Sequence, residues 1–176
     1  SDMSAIDYMK RAVNRAITLG PADMLEYSFH VAKKKASSAL IDLRYGATIS
    51  KTEPGWKPNS SGRYMNTPTD IYALDAMTAA ARLKPDDVIV DVGCGDGFPI
   101  AYWLSKGIKN KIIGLEIDPR AAAKARSRFK SIPNVSIVEG DATVEAAKTN
   151  GTVFFLFNPF AELQTKAFEN SIRSMK

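Results

Sequence analysis

Four stretches of the chain carry residue types in an order that chemistry could use. The first is Asp91-Val-Gly93-Cys-Gly95-Asp-Gly97. Glycines at alternate positions let a chain turn sharply and let a ligand come close to the backbone. The second is Glu116, about twenty residues further on, where an acidic side chain can take both hydroxyls of a ribose. The third is Asp141 in Glu139-Gly-Asp-Ala142, and the fourth is Asn158 in Phe157-Asn-Pro-Phe160. Each acid also has a plain structural use. Asp141 could cap a helix beginning at Ala142, and Glu116 or Asp118 could do the same for a helix from Pro119.

These residues need a frame that brings them to one place. From Pro85 onward the sequence reads as strand, loop and helix in repetition. Strands are predicted over 88–92, 111–115, 135–138 and 152–157. Helices are predicted over 99–105, 119–129, 142–148 and 161–175. That alternation implies an α/β fold, a doubly wound and mostly parallel sheet covered on both faces. All four motifs then fall at the carboxyl ends of the strands, where open sheets of this kind bind ligands. The first glycine turn also opens a helix, whose start offers N–H groups to a polar ligand. Four strands are few for such a sheet, and the last predicted helix leads to none, so further C-terminal strands are expected to be missing from the sequence.

Upstream, residues 3–45 read as helical. Ile6, Met9, Val13 and Ile17 recur at helix spacing until Gly20-Pro21 breaks the run. Leu25, Phe29, Ala32, Ala36, Leu40 and Leu43 form a second apolar stripe. His30 and Lys33-Lys34-Lys35 fall mostly off it and read as exposed. Residues 46–68 are rich in turn formers, with Trp56, Tyr64 and Met65 adding apolar weight; the choice between a lid and a connector stays open. A helix is signalled by Thr67-Pro68 with Asp70 in its first turn, and its buried face is Ile71, Leu74, Met77 and Ala81. The organisation expected is a helical extension with a lid-like loop over 3–66 and a ligand-binding core over 67–176. Ser1 and Asp2, ahead of Met3, are left out of that frame.

Composition removes several alternatives. One cysteine, Cys94, allows no internal disulfide or cysteine-based zinc site, and one histidine, His30, allows no His-rich metal site. A Ser-His-Asp triad would need His30, which is far in sequence from any nucleophile motif. No apolar run approaches the ~20 residues that cross a bilayer. There is no signal-peptide pattern. A reducing, cytoplasmic setting is expected. The net charge of +5, from 24 basic and 19 acidic residues, leaves nucleic acid open as a partner without favouring it.

With these motifs in order, residues 67–176 resemble the class I, Rossmann-like S-adenosylmethionine-dependent methyltransferases. Asp91-x-Gly93-x-Gly95-x-Gly97 is similar to their first motif. The resemblance implies S-adenosylmethionine as cofactor, with Gly93, Cys94, Gly95 and Gly97 passing along its methionine part. Asp91 would orient the loop or reach the amino group through water. Glu116 would bind the ribose, Ile117 would pack on the adenine, Asp141 would accept from the adenine amino group, and Ala142 would offer its backbone N–H. Cys94 would be a small residue that fits. A nicotinamide dinucleotide is the alternative, but that fingerprint spaces its glycines at the first, third and sixth positions, and here the third stands at the fifth.

Asn158-Pro159-Phe160 resembles the Asn-Pro-Pro-aromatic motif of amino-group methyltransferases. By that likeness Asn158 and a backbone carbonyl would hold an acceptor NH₂ and Phe160 would stack on it. The second proline is absent here, so Phe160 stands one position early. The alternative is a strand-end turn with Phe160 in the core. Asn-Pro-Phe, with Tyr45-Gly46 and Tyr64-Met-Asn-Thr67-Pro68, also resembles a poorly characterised bacterial group of methyltransferases, in which Tyr64 and Thr67 would close over the cofactor. Three functions stay open. The favoured one is methyl transfer to an unidentified acceptor, a small molecule. The others are an N-methyltransferase for nucleic acid or protein, and a non-catalytic cofactor-binding scaffold. The residues do not fix an oligomeric state, and they suggest no membrane partner.

Overall fold

The computed structural model describes residues 21–46, 71–157, 162–173 and 175. The chain divides into two units, Ser1–Leu40 and Ile41–Lys176. The described part of the first unit is the helix α1 (Pro21–Arg44), which runs on into the second. The second unit then follows the predicted alternation. Its elements are α2 (Ile71–Ala81), β1 (Val88–Val92), α3 (Phe98–Ser105), β2 (Lys111–Glu116), α4 (Pro119–Phe129), β3 (Val135–Glu139), α5 (Ala142–Glu145) with a 3₁₀ turn over Ala146–Lys148, β4 (Val153–Leu156) and α6 (Glu162–Arg173).

The four strands form one parallel sheet in the order β3-β2-β1-β4. The fold is therefore the expected α/β, Rossmann-like arrangement. The inner strands carry the burial that a doubly covered sheet demands. In β1 every residue after Val88 is buried, and in β2 every residue after Lys111. The outer strands β3 and β4 are only part-buried.

Alternation along the strands sends side chains to two cores. Ile89, Ile112 and Phe155 face one that also holds Ile100, Trp103 and Phe129. Val90, Val92, Ile113 and Leu115 face the other, with Ala142, Ala146 and Phe168. On the first face, α2 and α3 are pinned by polar contacts as well as by packing. The Trp103 indole N–H donates to Thr78 at 3.0 Å, and its ring lies 4.6 Å from that of Phe155. The Tyr102 hydroxyl donates to Asp75, which also takes Lys106 at 2.9 Å. The Tyr102 and Lys106 hydrogen bonds hold the Asp75 carboxyl below its ordinary range.

The amino ends of the strands are tied by short polar side chains. The Asn110 amide donates to the carbonyls of Lys84 and Asp87 at 2.8 and 2.9 Å, and Asn134 donates to the Asn110 carbonyl at 2.8 Å. Thr152 donates to Asp87 at 2.7 Å and accepts from the Val88 N–H at 3.0 Å. Asp87 also accepts from the Lys84 N–H at 2.7 Å, and these bonds, the Lys84 one first, lower its pKa. The starts of all four strands are thereby linked.

Two sequence expectations change. The 142–148 segment is one α turn followed by a 3₁₀ turn. The stripe on α1 forms on a helix, but Leu25, Phe29, Leu40 and Leu43 are exposed. Spacing of three and four residues fixes which face they share, and burial needs a partner that spacing does not supply. Ile41, off that stripe, is buried in the first core, where Tyr45 packs against it. The Ile6–Ile17 stripe, residues 47–68 of the loop and the helix start from Thr67-Pro68 to Asp70 lie outside the described residues.

Candidate functional site

The glycine turn leaves β1 and enters α3. Gly93, Gly95 and Gly97 have φ of 75°, 57° and 87°, all in the left-handed region. The turn is anchored from below. The N–H groups of Gly93 and Cys94 donate to the Leu115 carbonyl at 2.8 and 3.0 Å, and the Gly97 N–H donates to Cys94 at 2.8 Å. Gly97 also has no room for a side chain, because a Cβ there would lie 2.3 Å from the Phe129 ring. It occupies the N-cap of α3, so that helix starts with no side-chain cap. The starts of α4 and α5 differ: Asp118 accepts from Arg120 N–H at 2.8 Å and Asp141 accepts from Thr143 N–H at 3.0 Å.

Glu116, the last residue of β2, is buried beside this turn. Its Oε2 accepts from the Gly95 N–H at 2.8 Å and its Oε1 from the Asp118 N–H at 2.8 Å. One carboxylate thus fixes the middle of the glycine turn and the approach to α4. Asp91, inside β1, is also buried, and its Oδ2 has no hydrogen-bond partner among the described residues. Burial first, and the Glu116 charge second, push its carboxyl up to about 7. A buried acid with an unused oxygen beside a ligand-ready turn is costly for folding alone, and it is the kind of group that function retains.

The remaining described candidates follow the ends of β1, β2 and β3 in the chain. Ile117 directly follows Glu116 and is exposed. Asp141 caps α5 through Oδ1, which also accepts from the Thr143 hydroxyl at 2.8 Å, and Ala142 is buried behind it. The structural use foreseen for Asp141 is therefore realised, and the cap on α4 is Asp118. Cys94 is buried, and burial, with the charges of Asp91 and Glu116 behind it, raises its thiol pKa well above the ordinary range. That keeps the thiol protonated and unreactive. Its sulfur fills the space over Gly114, where a Cβ would lie 2.7 Å from it. Asn158, Pro159, Phe160, Tyr64 and Thr67 lie outside the described residues. Among the described residues no group of acids, cysteines and histidines could hold a metal.

Sequence reasoning missed Gly114 and Arg128. Gly114 lies within a strand, and no turn marks it. Arg128 sits among the other basic residues of α4, and its partner Asp42 is 86 positions away.

The profile of a methyltransferase domain matches residues 89–176, half of the chain. The chain belongs to this methyltransferase family. The matched stretch starts in β1 and holds the glycine turn, Glu116 and Asp141. Among similar proteins is the probable ribosomal RNA small subunit methyltransferase A of Methanosarcina barkeri. It is 39% identical over 73 residues, which are 42% of this chain and 25% of the relative. The tRNA1(Val) (adenine(37)-N6)-methyltransferase of Shewanella amazonensis is 36% identical over 100 residues, 54% of this chain and 41% of the relative. The 2-O-methyltransferase NoeI of Sinorhizobium fredii is 31% identical over 88 residues, 50% of this chain and 35% of the relative. The chain therefore spans well under half the length of these methyltransferases. Among solved structures, the Podospora anserina methyltransferase PaMTH1 with bound SAH aligns at 22% identity and a TM-score of 0.49, covering 63% of this chain and 48% of the other. Among the described residues no helix is long and apolar enough to cross a membrane.

Proposed function

We propose that this methyltransferase domain uses S-adenosylmethionine, and that the carboxyl end of β1 and β2 is the donor site. The observation that carries the reading is Glu116, whose carboxylate is held at the lip of the glycine turn by two backbone N–H groups. A carboxylate has about four lone-pair sites, so both oxygens keep capacity for a pair of ribose hydroxyls. The unpartnered Asp91 Oδ2 and the uncapped start of α3 fit the zwitterionic amino-acid end of the cofactor, one an acid and the other a set of N–H donors. The exposed Ile117 side chain gives an adenine ring an apolar face. Asp141, with Ala142 following it, supplies an acceptor for the ring's amino group beside its capping bond.

When bound, S-adenosylmethionine supplies a methyl group on a positively charged sulfur, open to in-line displacement. The protein's own task is orientation and exclusion of water. Glu116 and the glycine turn fix the donor's position. Asn158, which follows β4 in the sequence, is the candidate for orienting an acceptor amino group, with Pro159 and Phe160 shaping that side. Tyr64 and Thr67 are the candidates for covering the cofactor.

For the acceptor, two readings are supported by different observations. The names of the relatives acting on ribosomal RNA and on a tRNA adenine N6 favour a base amino group in RNA, and Asn158-Pro159-Phe160 suits an amino acceptor. The 2-O-methyltransferase relative favours a hydroxyl acceptor, which in this second reading is carried by a small molecule. Each of the three shares only part of its length with this chain, 25%, 41% and 35%, so none of them fixes the acceptor. Calorimetric titration with S-adenosylhomocysteine and NADH tests the donor reading: the first should bind and the second should not. NADH binding without S-adenosylhomocysteine binding would overturn it. Label transfer from methyl-tritiated S-adenosylmethionine to total RNA, against a deproteinised small-molecule extract, separates the two acceptors.

A further inference from the structure

Arg128, near the end of α4, has its side chain almost wholly buried, at 3% exposure. Its Nη2 donates to Asp42 Oδ1 at 2.7 Å. Its Nη1 donates to the Asp96 carbonyl at 3.3 Å and lies 3.8 Å from Asp96 Oδ1. Its Nε has no partner among the described residues, and its guanidinium carbon lies 5.5 Å from the centre of the Phe129 ring. Phe129 is the side chain that closes off Gly97. The last two residues of α4 therefore hold the second half of the glycine turn, Phe129 by contact at Gly97 and Arg128 by hydrogen bond at Asp96. Asp42, in the last turn of α1, holds Arg128 in turn.

A buried ion pair is a poor source of net stability, because desolvation offsets most of its attraction. What a guanidinium does well is span two acceptors at a fixed angle, which an ammonium cannot. We propose that Arg128 is a positioning residue: anchored by Asp42, it sets the Asp96 backbone so that the Gly95–Gly97 segment is preformed for the donor. This rests on the donor-site reading above, since the turn is what Arg128 positions.

The test uses the full chain carrying Arg128→Met, Arg128→Lys or Asp42→Asn, and S-adenosylhomocysteine as probe. Each variant should bind it about tenfold more weakly than the wild type, within the usual range of coupling between sites. Lysine should fail to rescue, because it keeps the charge and loses the fork. Hydrogen exchange should accelerate at the Gly95 and Gly97 amides and stay unchanged at Val90 and Ile113 in the sheet. Wild-type affinity in the folded variants, full rescue by lysine, or a uniform rise in exchange through the core would overturn the proposal. If Arg128→Met does not fold, Asp42→Asn carries the test, since it leaves the guanidinium in place. If the wild type itself binds no S-adenosylhomocysteine, the donor reading fails, and the exchange pattern at Gly95 and Gly97 still decides whether Arg128 sets the turn.

Discussion

The two ends of the sheet are built from similar residues and treat them in opposite ways. At the amino end, Asp87, Asn110, Asn134 and Thr152 spend their polar groups on one another and on nearby backbone. Asp87 there is held as a carboxylate, with its pKa lowered by hydrogen bonds. At the carboxyl end, Asp91 keeps an unpartnered buried oxygen and a pKa raised to about 7, and α3 starts without a side-chain cap. Satisfied polar groups mark the end that holds the strands in register. At the carboxyl end Glu116 and Asp141 are paired as well, and the unpartnered Asp91 oxygen and the uncapped α3 are the groups that the proposed donor site would use.

Substitutions at the carboxyl end should therefore weaken binding, and those at the amino end should leave it unchanged. The largest effect is expected for Gly97→Ala. Its φ of 87° and the Phe129 ring 2.3 Å from a new Cβ should cost about 2–4 kcal/mol in a urea melt, and binding of S-adenosylhomocysteine should be abolished. Retained binding would show that the turn is not the donor site.

Next in size is Glu116→Gln. It keeps the shape and an acceptor oxygen but loses the charge and one acceptor. S-adenosylhomocysteine affinity should fall roughly ten- to hundredfold, the range of a lost charge-assisted hydrogen bond of ~1.5–3 kcal/mol, and the melt should fall by about 1–3 kcal/mol, because one of the Gly95 and Asp118 N–H groups loses its acceptor.

The Asp91 carboxyl gives a pH signature. In the folded protein its pKa is raised to about 7, against roughly 4 in an unfolded chain. Between these values the folded state holds a proton that the unfolded state has released. Its stabilising contribution is complete below about 4 and is lost as pH rises through about 7. Melts of the cofactor-free protein from pH 5 to 8 should show this decline, and Asp91→Asn should remove it. An unchanged slope in Asp91→Asn would place the pH dependence elsewhere. The smallest effect belongs to the amino end. Thr152→Val, which removes two exposed hydrogen bonds, should cost about 1 kcal/mol and leave affinity for S-adenosylhomocysteine unchanged.

Of the two ends, the carboxyl one was legible in the sequence, for physical reasons. Three alternating glycines after an apolar strand mark a turn because few other residues accept positive φ. The acids Glu116 and Asp141 stand where strands stop, which places them on the same rim once the sheet is parallel. The strands of the core showed because strands covered on both faces must be apolar throughout. Arg128 was not legible, since nothing local separates it from Arg120 or Arg126 on the same helix. Its burial follows from Asp42, which only the fold brings near. The exposure of Leu25, Phe29, Leu40 and Leu43 was not legible either, because a periodic stripe states a face and not a partner. Gly114 carries no turn signal, and its need for a bare α-carbon appears only when Cys94, Ile100 and Ile137 are in place around it.

The most direct test of the account is one calorimetric series with S-adenosylhomocysteine on the wild type, Glu116→Ala at the carboxyl end and Asp87→Ala at the amino end. The account predicts that the wild type and Asp87→Ala bind alike and that Glu116→Ala binds at least tenfold more weakly while remaining folded. Equal binding by Glu116→Ala, or a comparable loss in Asp87→Ala, would contradict the assignment of the two ends.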